Sequence, residues 1–403
     1  MKIKQVIAVV GTFDSKGEEH VFLEERIKKK GFGTLTIHVG TGGPSPVRVN
    51  LDLFEAIRKA RSFLPRNRDR AIAIMVREAQ SRIKQLYQKG QLNGIISAGG
   101  GTGTYLCTQI MQELPFGVPK VMVSTVASRN MAEVVGTKDI TMIHSVADLL
   151  GINSISGKIL DMGAACICGM IQSRWQAGTA KKRIALSFFG FITPAAEAVK
   201  KALENSGYEV IGFHANGTGG MALEEIADSG YFDGILDLAT HELADHLKGG
   251  YCGGIGVKRF TPPANHTIPR LIIPGGLDCA VLEFTRETIP EKYKKRKIFF
   301  YDFRSAIRLT RAESQILADQ LAERLNKDPQ NIKVLIPQKG WSVADRQGGP
   351  LYDPPVSLSF LTRFRKRLDP QISLIEVGHH INDKAFALKA SAVMDDMIRN
   401  KKK

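Results

Sequence analysis

The sequence predicts an α/β protein of two halves, each a mainly parallel sheet flanked by helices, the halves facing each other across a cleft. Three observations carry this expectation. Short apolar, β-branched runs alternate with longer amphipathic stretches, the rhythm of strand-helix-strand units. Several of these runs end in glycine-rich loops, where a chain turns sharply from strand to helix. The second half also repeats the first in the same order. Lys30-Gly31-Phe32, a strand and His38-Val39-Gly40-Thr41-Gly42-Gly43 are echoed by Ser206-Gly207-Tyr208, a strand and His214-Ala215-Asn216-Gly217-Thr218-Gly219-Gly220. Leu92-Asn93-Gly94-Ile95-Ile96 is echoed by Phe232-Asp233-Gly234-Ile235-Leu236, and Val118-Pro119-Lys120-Val121 by Ile268-Pro269-Arg270-Leu271.

Residues 5–10 form an apolar, β-branched first strand, and Gly11-Thr12-Phe13-Asp14-Ser15-Lys16 leads from it into a helix ending near Lys30. Asp14 or Ser15 suits the cap of that helix, and Glu18 and Glu19 suit its positive end. Thr12, Ser15 and Lys16 also fall at the carboxyl end of a strand, where open α/β sheets bind ligands. A second strand over 34–39 leaves through Gly40-Thr41-Gly42-Gly43-Pro44. A charged, less regular stretch through Arg61, Arg66, Arg68 and Arg70 follows, then a helix over 71–89.

The organising stretch is Leu92 to Thr104, a short buried strand running into Gly99-Gly100-Gly101-Thr102-Gly103-Thr104 and then a helix. Glycines let a ligand approach backbone amides, and a helix start supplies free N–H groups and a positive dipole end, which together favour phosphate. The spacing matches neither G-x-x-x-x-G-K-[ST] nor a clean G-x-G-x-x-G, and a tight turn without a ligand is the plainer alternative. A strand over 117–124, a small-residue helix over 161–176 and a basic link over 178–183 complete the first half, so the expected domains are 1–180 and 181–403. Gly151 to Lys158 looks like a phosphate loop but has one residue too many between its glycines.

In the second half the strand-end loops are 188–194, 214–220, Ala239-Thr240-His241-Glu242 and Pro274-Gly275-Gly276-Leu277-Asp278. Strands over 333–336 and 372–377 and helices over 312–326, 356–368 and 384–399 complete the chain, with His379-His380-Ile381-Asn382-Asp383 after the last strand. His214, His241, His380, Glu242, Asp278 and Asp383 are candidate acids, bases or metal ligands by position. Packing or capping is the bland reading of each. No nucleophile elbow, kinase signature or H-E-x-x-H zinc motif occurs; His246 stands five residues after His241, off its helix face.

Composition narrows the function classes. At 403 residues the chain suits two or three domains, and 43% hydrophobic with 24% charged residues describes a globular protein. No apolar run reaches membrane-spanning length, and the first residues enter a strand directly, so a cytoplasmic protein without a membrane partner is expected. Cys107, Cys166, Cys168, Cys252 and Cys279 lack the spacing of a metal site and read as reduced. The net charge of +16 suits nucleic acid, a membrane surface or an anionic small molecule as partner. Its runs, such as Lys28-Lys29-Lys30 and Lys401-Lys402-Lys403, lack interleaved stacking aromatics, which argues against nucleic acid.

Several segments together resemble the Tm-one-like ATP-binding domain family: Gly11 to Glu19, Ala71 to Met75, Gly99 to Thr104, Pro119 to Ser128, His214-Ala215 with Gly219-Gly220, and His380-Ile381-Asn382-Asp383. The resemblance implies two Rossmann-like subdomains, ATP bound by the first, and a homodimer. Carried over residue by residue, it implies nucleotide contacts from Asp14, Ser15, Lys16, Thr41, Arg68, Gly99, Gly100, Gly101 and Thr102. Asp14 has the chemistry to hold Mg2+ or a ribose hydroxyl, and Lys16 and Arg68 to neutralise phosphate. The loop here reads Gly-Gly-Gly-Thr-Gly-Thr and Thr41 lies among extra glycines, both departures from the plant pattern. The expected function is an ATP-dependent enzyme acting on a small molecule between the subdomains, with His214, Glu242, Asp278 and His380 as its catalytic candidates. The alternative is an ATP-binding sensor or a protein or RNA interaction module that turns nothing over.

Overall fold

A computed structural model describes residues 5–61, 67–175, 178, 181–264 and 266–400. Arg66, the Lys401-Lys402-Lys403 tail and part of the basic link lie outside the described residues. The chain divides into two compact units, Met1–Gln176 and Ala177–Lys403.

Unit 1 is a six-stranded sheet built from β1 (Val6–Gly11), β2 (Gly33–His38), β3 (Leu51–Asp52), β4 (Gly94–Gly99), β5 (Lys120–Ser124) and β6 (Thr141–His144). Its order is β3-β2-β1-β4-β5-β6, and every pairing is parallel. The helices are α1 (Phe13–Lys29), α2 (Leu53–Arg61), α3 (Arg68–Gln88), α4 (Gly101–Met111), α5 (Ala132–Val135) and α6 (Ser156–Gln172). The near-continuous apolar strands follow from burial on both faces. Ile7 and Val9 of β1 pack on one side with Leu23 of α1 and Leu160 of α6, whereas Ala8 and Val10 pack on the other with Met75 of α3 and Leu106 of α4. The chain therefore leaves β1 toward one face and β4 toward the other. Those neighbouring strands define a topological switch point, the place where open α/β sheets hold ligands.

Unit 2 repeats the plan. Its strands β7 (Arg183–Phe188), β8 (Glu209–His214), β9 (Gly234–Ala239) and β10 (Arg270–Gly275) precede an antiparallel trio, β11 (Cys279–Leu282), β12 (Ile298–Phe300) and β13 (Ser305–Arg308). Then come β14 (Ile332–Pro337) and β15 (Ser373–Val377). The main sheet runs β15-β14-β10-β9-β7-β8, all parallel, and the trio forms its own sheet in the order β11-β13-β12. Helices α7 (Thr193–Asn205), α8 (Thr218–Asp228), α9 (Glu242–Lys248), α10 (Arg311–Leu325), α11 (Pro354–Arg367) and α12 (Lys384–Arg399) cover it. The repeated segments occupy equivalent places, since β2-β1-β4-β5 in unit 1 corresponds to β8-β7-β9-β10 in unit 2. The small antiparallel sheet has no counterpart in the sequence expectation.

Local differences have physical reasons. The stretch read as irregular before residue 71 contains β3 and α2, and α3 begins at Arg68, so Arg68 is a first-turn helical residue. Neither Asp14 nor Ser15 caps α1: Thr12 is the N-cap, and Asp14 lies inside the first turn with its carboxylate turned to the loop after β2. Among the described residues, no helix is long and apolar enough to cross a membrane.

Candidate functional site

The switch point of unit 1 is assembled by the exits of β1, β2 and β4. Gly100 is the N-cap of α4 and brings no side chain to cap it, so the first-turn amides keep the orphan donors of a helix start. A Cβ on Gly99 would come within 3.1 Å of Gly103 Cα, whereas one on Gly100 would meet only Thr125 Oγ1 at 3.7 Å and one on Gly101 nothing within 4 Å. Gly99 is thus a packing requirement, and Gly100 and Gly101 leave room above the backbone. A Cβ on Gly103 would be 3.9 Å from Thr12 Oγ1, which puts the β1 exit beside the start of α4. Arg68 Nη2 donates to Thr102 Oγ1 at 3.3 Å.

Asp14 Oδ2 accepts from the Gly42 amide at 3.0 Å, while its Oδ1 is buried without a partner. A Cβ on Gly40 would stand 2.3 Å from that Oδ1, so glycine is required for the loop to close over the carboxylate. Thr41 sits half-buried in the same loop. Ser15 is exposed, its hydroxyl turned back to Thr12 O and Oγ1 at 3.3 and 3.1 Å. Lys16 has a backbone break inside α1, at φ −132° and ψ 39°, and its ammonium donates to Leu149 O in the loop after β6. Asp14, Thr41 and Thr102 therefore follow the neighbouring strands β1, β2 and β4, Arg68 reaches Thr102 from the start of α3, and Lys16 is engaged by the loop after β6 at the far edge of the sheet.

Two histidines that are not among the candidate site residues, His20 and the His38 of the repeated segment, hold this arrangement. His38 Nδ1 accepts from the Phe13 amide at 3.1 Å, and its Nε2 donates to Gly43 O at 2.9 Å, joining the exits of β1 and β2. His20 Nε2 accepts from the Ala98 amide of β4 at 3.3 Å, and Nδ1 donates to Lys16 O at 2.6 Å. Burial lowers the His20 pKa to about 4, so the ring is neutral, as its hydrogen bonds require. A Cβ on Gly11 would fall 1.9 Å from His20 Nε2. That glycine was the available sequence signal, though it marks only a close approach to the backbone and not which side chain makes it.

In unit 2 the switch point lies between β7 and β9. Phe189 after β7 stacks on His241 after β9, with ring centroids 3.7 Å apart and planes 17° from parallel. The His241 ring is fully buried, neither nitrogen has a partner, and burial lowers its pKa to about 3. Glu242 is equally buried: Oε1 accepts from the Gly217 amide at 2.8 Å and Oε2 from Arg259 Nε at 2.7 Å. Arg259 also reaches Glu224 and Asp237, and Arg270 reaches the same two carboxylates, a closed network of two guanidiniums and three carboxylates. Both oxygens of Glu242 are thereby engaged in holding the fold. His214 ends β8 with its side chain exposed.

Asp278 and His380 belong to a third cluster, where the loops after β10, β14 and β15 interlock. Ser342 Oγ donates to Asp278 Oδ2 at 2.9 Å, and His380 Nε2 donates to Ser342 O at 2.9 Å. Burial raises the Asp278 carboxyl and lowers the His380 imidazole. Asp383 is the N-cap residue of α12, but its Oδ2 accepts from the His380 amide at 2.9 Å. Sequence reading missed Arg308 and Asp345, which join this cluster with Arg308 Nη1 at 3.1 Å from Asp345 Oδ1. The five cysteines are free, with burial raising the thiol pKa of Cys107 to about 12.

Comparison with known proteins gives this geometry its relatives. The N-terminal domain of the uncharacterised protein family UPF0261 matches residues 5–176, and its C-terminal domain matches 181–398. A UPF0261 protein of Clostridium tetani is 35% identical over 401 residues, spanning 97% of this chain and 98% of that protein. The ToMV resistance protein Tm-1(GCR237) of Solanum lycopersicum is 31% identical over 420 residues, spanning 96% of this chain and 55% of the tomato protein, so the chain covers about half of that relative. The solved structure of S. aureus MnaA with UDP aligns over 67% of this chain and 79% of that one, at 9% identity and a TM-score of 0.23, a likeness too slight to bear on function. With both domains matched over nearly their whole length, the chain belongs to the uncharacterised protein family UPF0261, to which its resemblance to the tomato Tm-1 proteins also leads.

Proposed function

We propose that unit 1 binds an adenine nucleotide, ATP, with its phosphates over the start of α4, and that the protein uses it on a small molecule held by unit 2. The observation that carries the reading is the order β3-β2-β1-β4-β5-β6 with an uncapped, glycine-entered helix at the β1/β4 switch point, since sheets of this order bind dinucleotides in that crevice and a free helix start favours phosphate. Arg68, already on Thr102, supplies a guanidinium for phosphate oxygens. Lys16 would exchange the Leu149 carbonyl for a phosphate oxygen, a stronger charge-assisted partner. The unpartnered Oδ1 of Asp14 fits a magnesium ion or a ribose hydroxyl. Among the described residues no group of three or more His, Cys, Asp or Glu side chains could hold a metal, so magnesium here would rest on Asp14 with phosphate oxygens and water, its usual mode with nucleotides.

In unit 2 the proposal assigns proton handling to Asp278, His380 and His214, and a positioning task to Glu242 through Arg259 and the Gly217 amide. Substrate-dependent ADP production by the full chain, compared with His380→Gln, tests it. Turnover that is absent or indifferent to every added small molecule would leave a nucleotide-binding sensor in place of an enzyme.

A further inference from the structure

We propose that unit 2 carries a binding site for a small amphipathic amine, an apolar or aromatic body bearing one ammonium group, in the groove between the exit of β14 and the start of α11. The proposal concerns unit 2 alone and is independent of whether unit 1 holds a nucleotide.

The groove has a volume of about 450 Å3, within the range of small-molecule sites. Its walls are Trp341, Tyr352, Pro354, Leu358 and Leu361, a surface suited to a flat apolar body. Asp345, only 2% exposed, is the buried carboxyl that lines it.

The charge count behind that wall selects the ligand. Arg308 is the guanidinium facing two buried carboxyls, with Nη1 3.1 Å from Asp345 Oδ1 and 3.7 Å from Asp278 Oδ2. Its Nη2 is spent on Asp353 O and Ser357 Oγ, at 3.0 and 2.6 Å. Asp278 Oδ1 and both Nε and Nη1 of Arg308 remain buried without a hydrogen-bond partner, so the cluster is held by charge at ion-pair distance and is incompletely satisfied as it stands. With both acids ionised the cluster holds one negative charge too many, and burial together with the Asp278 charge pushes Asp345 up to about 7. An ammonium beside Asp345 supplies the missing cation and lets the acid ionise. Anions have no comparable welcome. Helix α11 opens with Pro354 and Pro355, which lack the N–H groups that would receive one, and Arg365 at the rim is already paired with Glu376.

The experiment is titration calorimetry of the full chain with tryptamine and, as the matched anion, indole-3-propionate. Tryptamine is expected to bind and to release protons at pH 6, seen as a buffer-dependent heat, because Asp345 loses its proton when the ammonium arrives. Asp345→Asn should weaken tryptamine by roughly tenfold or more and abolish the proton release. Leu358→Trp, at an exposed wall position, should block the groove whether or not the aspartate variant folds. Absence of tryptamine binding, equal or tighter binding of the propionate, or tryptamine binding indifferent to Leu358→Trp would each overturn the proposal.

Discussion

Arg68 Nη2 lies 3.3 Å from Thr102 Oγ1, tying the first residue of α3 to the first turn of α4. Two helix starts are thus joined through their first turns, and the guanidinium that joins them is exposed. Positive helix ends add to the guanidinium there, and no acidic side chain is joined to it in an ion pair among the described residues. That relationship is what leads us to propose nucleotide phosphates in the neighbourhood of Thr102.

Arg68→Gln should therefore weaken adenine nucleotide binding by roughly tenfold while leaving thermal stability unchanged, because one charge-assisted contact is lost and no buried group is disturbed. The affinity of the variant should also fall less steeply with salt. Calorimetry at two ionic strengths checks both; an unchanged affinity would remove Arg68 from the site.

Arg259→Met should destabilise unit 2 by about 3–5 kcal/mol, since it leaves the buried Glu242 without its cation and Glu224 and Asp237 sharing Arg270 alone. Adenine nucleotide binding by unit 1 should survive at temperatures where unit 2 has melted. Differential scanning calorimetry with and without ATP reads this, and loss of both units together would show that they unfold as one.

His20 makes stability depend on pH in a predictable direction. Its folded pKa of about 4 lies below the ordinary 6.5, so between those values the unfolded chain binds the extra proton and stability falls as pH drops from 6.5 toward 4. At the lower end the loss from this group is about 3 kcal/mol, at 1.36 kcal/mol per pKa unit. In unit 2, Asp245 and Asp345, raised to about 7, act in the opposite sense over nearly the same window, and His241, lowered to about 3, acts in the same sense, so the His20 contribution is read from the difference between variant and wild type and not from the wild-type slope. His20→Gln should flatten the acid-side loss in unit 1, as urea denaturation from pH 4 to 7 would show; a variant as acid-sensitive as wild type would contradict the assignment.

Most of the fold was legible because both sheets are parallel and buried on two faces, which writes strands such as Ile7 to Val10 as continuous apolar runs. The repeat was legible for the same reason: Asn93-Gly94 and Asp233-Gly234 open strands at equivalent sheet positions. The sites were less so. Glycine loops mark where backbone is approached closely, but Gly99 serves packing and Gly100 leaves open space, a difference made by Gly103 across the turn. Glu242 stands at a strand end as an acid should, yet Arg259, seventeen residues on, claims it. Arg308 and Asp345 come from a β-strand and a loop 37 residues apart in sequence, with no spacing to connect them. Burial of charge is a property of the assembled layers, and a linear pattern of residue types does not record it.

The most direct test of nucleotide binding is calorimetry of the full chain with ATP, wild type beside Gly100→Val. Gly100 has φ −78° and ψ −165°, open to any residue, and its Cβ would make only ordinary contact, so the variant should fold while its side chain stands over the α4 amides. Saturable heat in the wild type, lost in the folded variant, is the predicted result; no heat with ATP, or equal heat from both proteins, would contradict it.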